Sequence, residues 1–395
     1  MMEMRVTHVI TRLVVGGAQE NTIASVFGLR QIPGFEVNLV SGPTSGREGS
    51  LQSCFAEIPD LLTIVPELVR PVHPWNDLLA LRKLIAIFRA RTPEIVHTHS
   101  GKAGILGRIA ASRAKIPIII HTVHGPSFGA FQNSFANLVF RSAESYAAKV
   151  TLHFVVVAEA MKQQYLSAGI GRPDQYSRIF SGFPLEPFIN AQNDTHLRSK
   201  LGFSADHIVI GKIGRLFKLK GHEDLLLIAP ELIHKCPAVR FLFVGDGPFR
   251  KKLEHRVRSL GLQNHVRFAG LVPPDEVAKY VGVMDILVHL SLREGLPRAL
   301  PQALAAARPV VAYDCDGAKE VCIDNETGFL LRPGDQRGLI DRLRQLSSDN
   351  ALRRRLGECG QRLVREQFGL PRMISELQQL YIRMHAQLRP GEKPG

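Results

Sequence analysis

Two cations stand five residues apart in GRLFKLKGHEDLL, where an apolar run ends and a helix opens near His222. They are Arg215 and Lys220. Arginine can grip an oxyanion through a bidentate fork, and lysine adds a point charge. The pair suits a diphosphate leaving group, although a solvated basic loop would look the same. The spacing is not that of a P-loop, which argues against ATP hydrolysis of that type.

A second stretch, EGLPRALPQALAAARP, opens on Glu294. Gly295 and Leu296 can present backbone N–H groups beside that carboxylate. Pro297 fits a first helical turn, and Pro301 is tolerated only near a helix start. The helix therefore begins between them, which puts Gln302 near its first turn, close to Glu294. The plainer reading is a capped helix with an exposed Glu and a structural Gln.

Three further clusters carry possible chemistry. In VGGAQ, Gly16 and Gly17 join a strand to a helix, so backbone and helix dipole can meet an anion. This is not GxGxxG, and a dinucleotide site is disfavoured. In DCD, Asp314 and Asp316 could hold a divalent metal, or simply form a polar loop turning at Gly317. The histidines His97, His99, His121 and His124 lie at two strand ends. No carboxylate or cysteine stands close in sequence, so a metal cluster is not expected. His124, before Gly125 and Pro126 at a strand's carboxyl end, is the best ligand-facing candidate.

These residues need elements to hold them. Short apolar runs alternate with helical patterns: 6–10, 37–41, 94–99, 116–124, 153–158 and 176–182 in the first half. In the second half the runs are 208–216, 239–247, 265–272, 286–292, 309–317 and 327–335. They are near-continuously apolar, as buried parallel strands are, and they interleave with helices. That is the pattern of doubly wound α/β sheets. The polar, turn-rich stretch 183–206 interrupts it and marks a domain boundary. Ligands on such sheets bind beyond the carboxyl ends of the strands, which points to a cleft between two domains.

The chain has 395 residues and a net charge of +14, so an anionic partner is expected. No basic stripe interleaved with aromatics is present, and nucleic acid is not expected as a partner. From Ala351 on, nine Lys/Arg stand against four Glu, including the run Arg353, Arg354, Arg355. Five scattered cysteines without a CxxC pair fit a reduced, cytoplasmic compartment. No apolar run reaches transmembrane length, so membrane contact would be peripheral, at the anionic inner face.

Taken in order, these pieces resemble the retaining GT-B glycosyltransferases, in the large group 1, family 4-like set that builds bacterial capsule, lipopolysaccharide and lipid glycosides. The resemblance covers about residues 5 to 385. It rests on GGAQ, VHTHSGKAGILGR and HTVHG in the first half, and on GRLFKLKG, FVGDGP, VRFAG, EGLP and GFLL in the second. It implies two Rossmann-like doubly wound domains facing a central cleft. Residues 1–190 would form the acceptor-side domain and 191–368 the nucleotide-sugar domain. Residues 369–395 would form a helix returning to the first domain, and a tail.

The resemblance also implies roles. Gly16 and Gly17 would face the donor diphosphate, and His124 the donor sugar. Arg215 and Lys220 would neutralise the leaving diphosphate. Glu294 would hold sugar hydroxyls near the Gly295 and Leu296 amides. VRFAG, with Phe268, would line the base pocket. Acceptor loops would lie around 100–102 and 126–133. The activity implied is a metal-independent hexosyltransferase with no cofactor, using a nucleotide-diphosphate sugar, with UDP the commonest base. The acceptor would be a glycan or a polyprenyl- or lipid-linked sugar.

Two departures stand out. The family usually has a ribose-binding Glu where Gln302 stands, and commonly Ser where Ala158 stands. Gln keeps one acceptor and gains a donor, so ribose binding survives at a cost of about 1–2 kcal/mol. The alternative reading is a nucleotide-sugar binder that does not catalyse.

Overall fold

The computed structural model describes residues 4–44, 49–129 and 131–388. Ala130, inside the expected acceptor loop 126–133, and tail residues 389–395 lie outside the described residues. The chain divides into two compact units. The first runs to Phe183 and resumes at Leu370; the second is Pro184–Gly369. The sequence reading gives residues 184–190 to the first domain. The structure groups them with the second, because the short helix there packs on two helices of that unit.

Unit 1 contains strands β1 (Met4–Ile10), β2 (Phe35–Ser41), β3 (Leu62–Ile64), β4 (Ile95–His99), β5 (Ile118–Val123), β6 (His153–Val156) and β7 (Tyr176–Arg178). Between them run α1 (Gly17–Arg30), α2 (Pro74–Arg91), α3 (Gly101–Arg113), α4 (Ser134–Ala148) and α5 (Glu159–Ser167). The strands form one parallel sheet in the order β3-β2-β1-β4-β5-β6-β7. The order reverses between β1 and β4; Gly16 follows the first of these strands and His99 ends the second.

Unit 2 starts with α6 (Glu186–Ile189) and α7 (Thr195–Lys200), inside the turn-rich stretch. Its strands are β8 (Ile208–Ile213), β9 (Val239–Val244), β10 (Val266–Gly270), β11 (Ile286–His289), β12 (Val310–Tyr313) and β13 (Gly328–Leu331). Its remaining helices are α8 (His222–Lys235), α9 (Arg250–Ser259), α10 (Val277–Gly282), α11 (Ala299–Ala305), α12 (Gln336–Ser348) and α13 (Asn350–Gln367). The parallel order is β10-β9-β8-β11-β12-β13. Here the reversal falls between β8 and β11, the strands that lead to Lys220 and Glu294.

Side chains of the central strands are buried nearly throughout, which is why those runs lack polar alternation. The core of unit 2 packs Ile210, Phe241, Phe243 and Val288 against Leu225 and Leu226 of α8. In unit 1, α2 and α3 cover one face of the sheet. The other face is covered by α1 and by α14 (Leu370–Leu388), through Met373, Ile374, Leu377 and Tyr381. All five cysteines are free. Among the described residues, no helix is long and apolar enough to cross a membrane.

One ion pair of unit 1 is fully buried. Arg108 Nη2 of α3 lies 2.6 Å from Glu144 Oε2 of α4, with both side chains inaccessible. Arg108 also donates to the Gly104 carbonyl at 2.7 Å. Removing one partner strands the other charge in the core. Glu144→Gln is therefore expected to cost about 3 kcal/mol in urea unfolding of the full chain. A midpoint equal to wild type would show that Arg108 needs no counter-charge.

Candidate active site

In unit 2, two loops leave adjacent strands and are tied together. The loop after β8 reaches Lys220, and the loop after β11 reaches Glu294. The Leu292 N–H donates to the Leu219 carbonyl at 2.9 Å, and Ser291 Oγ donates to the same carbonyl at 3.2 Å. Gly221 then opens α8 with φ +66°. A Cβ there would sit 2.0 Å from the Leu290 carbonyl oxygen. Only glycine lets the lysine loop come this close to the glutamate loop. Gly221→Ala should therefore lower the melting temperature by several degrees, equivalent to about 2 kcal/mol. An unchanged melting curve would mean that the loops part at no cost.

Across this seam Lys220 Nζ pairs with Glu294 Oε1. His289 Nε2 is 3.2 Å from the same oxygen. Burial alone would raise the Glu294 pKa. The Lys220 charge and the His289 contact outweigh it and hold the carboxyl well below the usual carboxylate range. Asp316 Oδ2 accepts the Glu294 N–H at 2.7 Å, and Gly317 N–H donates to the Gly295 carbonyl at 3.0 Å. Among the described residues, no acceptor takes the Gly295 or Leu296 N–H. The arrangement thus offers an ionised carboxylate, a lysine and two open amides within one pair of loops. It can accept hydroxyls and donate to anionic oxygen.

A buried lysine lies beneath. Lys212 on β8 is 2% exposed, and the described residues provide it no hydrogen-bond or ion-pair partner. Burial, then repulsion from Lys220, pushes its pKa down to about 7. Beside it, both ring nitrogens of His222 are buried without a partner, and its ring meets Phe243 edge-on at 5.4 Å. The unfolded chain holds the Lys212 proton up to about pH 10, whereas the folded chain releases it from about 7. Stability from this group therefore rises with pH across that window, by about 1.4 kcal/mol per unit. Lys212→Met is expected to raise the urea midpoint at pH 7 and to flatten that rise. A midpoint at or below wild type would count against a strained charge.

Unit 1 brings together a chain of imidazoles. His8 Nδ1 is 2.9 Å from His99 Nε2, and His99 Nδ1 is 3.0 Å from His124 Nε2. His97 bonds Tyr381 Oη of α14 at 2.5 Å and Thr122 Oγ1 at 2.6 Å. Burial pushes His8 and His124 down to about 3 and holds His97, His99 and His121 well below the ordinary histidine range. A neutral imidazole has one donor and one acceptor nitrogen, so each tautomer fixes the next. The tautomer of His124 is thereby coupled to His8. His8, His97 and His99 lie close enough to invite a metal. Their nitrogens are instead engaged with one another and with Tyr381 and Thr122.

Residues 15–186 match the family described as Glycosyltransferase Family 4, and residues 193–363 match Glycosyl transferases group 1. Together they span both units.

The chain belongs to this glycosyltransferase family.

It is 28% identical over 390 residues to the Escherichia coli UDP-Gal:alpha-D-GlcNAc-diphosphoundecaprenol alpha-1,3-galactosyltransferase, covering 97% of each chain. It is 24% identical to the capsular polysaccharide biosynthesis glycosyltransferase CapM of Staphylococcus aureus, over 82% of this chain and 85% of that one. The structure superposes on Anabaena HepE in complex with UDP and glucose with a TM-score of 0.81. That match has 21% identity and covers 96% of this chain and all of the other. The fold is GT-B, two parallel-sheet α/β domains.

Within this glycosyltransferase, the expected residues fall as follows. Lys220, Glu294, Gly295 and Leu296 share the paired loops of unit 2. Arg215 is exposed at the end of β8. Phe268 meets Phe243 edge-on at 5.2 Å, under the Arg250 guanidinium. The helix carrying Gln302 starts at Ala299, between the two prolines, and Gln302 is 9% exposed. Gly16 and Gly17 begin α1, where no side chain caps the first turn. Ala158 likewise leaves α5 without a side-chain cap.

Two further residues have partners of their own. In DCD, Asp316 Oδ2 holds the Glu294 loop and Asp314 is exposed, as the polar-loop reading expects. Lys102, in an expected acceptor loop, pairs with Asp77 and donates to the Pro71 carbonyl. The sequence reading overlooked His289 and Lys212. A lysine inside an otherwise apolar strand was the available signal for the second.

Proposed function

We propose that the protein transfers a sugar, with retention at the anomeric carbon, from a UDP-sugar to a glycan or lipid-linked acceptor in cell-envelope polysaccharide synthesis. The observation that carries this reading is the Lys220–Glu294 pair beside the open Gly295 and Leu296 amides. Bond cleavage puts negative charge on the diphosphate and positive charge on the sugar. Lys220 and Arg215 would stabilise the first, and Glu294 would hold the sugar hydroxyls through the transition state. No carboxylate is assigned as a nucleophile, so the departing phosphate would assist front-face attack. Residues of unit 1, Gly16, Gly17 and His124, carry roles by resemblance. The E. coli and S. aureus relatives support a cell-envelope product, and the Anabaena complex supports UDP.

The reading needs no metal and no cofactor beyond the donor itself. Thermal shifts with UDP, GDP, ADP and their sugars, with and without EDTA, test it. At about 100 times Kd a ligand stabilises by roughly 2.7 kcal/mol. A shift with UDP that persists in EDTA is expected; none with any nucleotide would remove the donor site. A second reading, a non-catalytic donor binder, is favoured by Gln302 and Ala158. Donor binding with neither transfer nor donor hydrolysis, across many acceptors, would select it.

A further inference from the structure

Four of the exposed large apolar side chains of unit 1 gather on one helix. On α4, Phe135 is 78% exposed, Leu138 63%, Val139 48% and Tyr146 59%. Their spacing places them on one stripe, together with Ser142. The opposite side holds Glu144 and Ala147, both buried, with Glu144 fixed to Arg108. The helix has no other carboxylate, so its outer face carries no negative charge.

Beside the stripe runs a shallow groove of about 420 Å³, lined by Leu138, Arg141, Ser142, Ser145, Tyr146 and Lys149. Arg141 donates through Nε and Nη2 to the Ala168 carbonyl, at 3.2 and 2.9 Å. That anchors the guanidinium and leaves three of its five N–H groups for an anion. An apolar stripe with aromatic residues, flanked by cations and free of acids, is the composition of a helix that lies in a bilayer interface.

We propose that α4 docks on an anionic phospholipid bilayer, with Phe135, Leu138, Val139 and Tyr146 entering the interface and Arg141 and Lys149 meeting lipid phosphates. Charge selects this occupant. A second copy seated face to face would bring two sets of Arg141 and Lys149 together with no carboxylate of α4 to offset them. An anionic surface supplies the missing charge. The basic run expected to meet the membrane fits less well. Arg353 donates to the Ser347 carbonyl and Asn350, and Arg355 to the Asn325 carbonyl, so two of its three guanidiniums brace α13. The purpose of the surface rests on the lipid-linked acceptor of the proposed function; its geometry does not.

The test is co-sedimentation of the full chain with vesicles of phosphatidylglycerol and phosphatidylcholine, against phosphatidylcholine alone. The wild type should sediment with the anionic vesicles and release as salt is raised. Phe135→Ser with Leu138→Ser should weaken binding about tenfold. Lys149→Glu should abolish the preference for anionic lipid. These side chains are exposed, so the UDP thermal shift should match wild type in every variant. Failure of the wild type to bind, or equal binding by the double variant, would overturn the proposal. So would a wild-type dimer in solution that the double variant dissociates, because the face would then belong to a second copy. A UDP shift without vesicle binding removes this inference alone, and vesicle binding without a UDP shift removes the donor reading alone.

Discussion

Glu294→Gln is expected to lower transfer from the UDP-sugar by about a hundredfold, the scale for losing one preorganised polar group at a transition state. The substitution preserves shape and one acceptor, so the loops should keep their seam. What it removes is charge. Glu294 is the partner of Lys220 and the group that His289 faces. Its carboxyl is held ionised far below neutral pH, so a neutral amide there changes the site at every working pH. Lys220 would then face buried Lys212 without a counter-charge. If Glu294 holds sugar hydroxyls, kcat should fall, donor binding should weaken, and free UDP should bind nearly as before. Lys220→Ala should behave differently, with UDP binding weakened as well. Near-normal turnover by Glu294→Gln, measured with a saturating donor, would sink the assignment of this pair to the reaction.

How much of this was legible beforehand depends on the kind of signal. The twelve long apolar runs gave the parallel strands, because a strand buried on both faces has nothing polar to show. The edge strand β3, three residues long and half exposed, has no such run and was missed. Pro297 and Pro301 bracketed the start of α11, since proline leaves few places for a helix to begin. The partner of Glu294 was harder. Lys220 is 74 positions away, and only the parallel pairing of β8 with β11 joins them. The same holds for Asp316, whose neighbours in DCD suggest a metal ligand and whose observed bond is to the Glu294 amide. Residues 100–102, expected in an acceptor loop, lead into α3. What the sequence did not show is that Gly104 lets this helix approach the sheet, where a Cβ would lie 2.4 Å from His121. Sequence shows residue types and local period; it does not show which loops a sheet order makes neighbours.

Acidification supplies the other large expected effect. Between pH 7 and pH 5 the protein should lose about 4 kcal/mol of stability from His8 and His124 alone. An unfolded histidine takes a proton near pH 6.5, whereas these two hold out to about 3 in the folded chain. Across that interval the unfolded state binds more protons, so stability is intact above pH 6.5 and falls as pH drops. At pH 5 each histidine sits about 1.5 units below its unfolded pKa, or about 2 kcal/mol. His97, His99 and His121 shift in the same direction and steepen the fall. Burial explains why protonation is resisted there, since a charged ring would lose its water. At His99 burial is joined by repulsion from the neighbouring histidines. Unit 2 has fewer buried histidines, His222 and His289, so hydrogen exchange in β1, β4 and β5 should accelerate before that in β8 and β11. Urea midpoints at pH 8, 6.5 and 5 measure the total. A flat profile would mean that these imidazoles take up protons in the folded chain as readily as in the unfolded one.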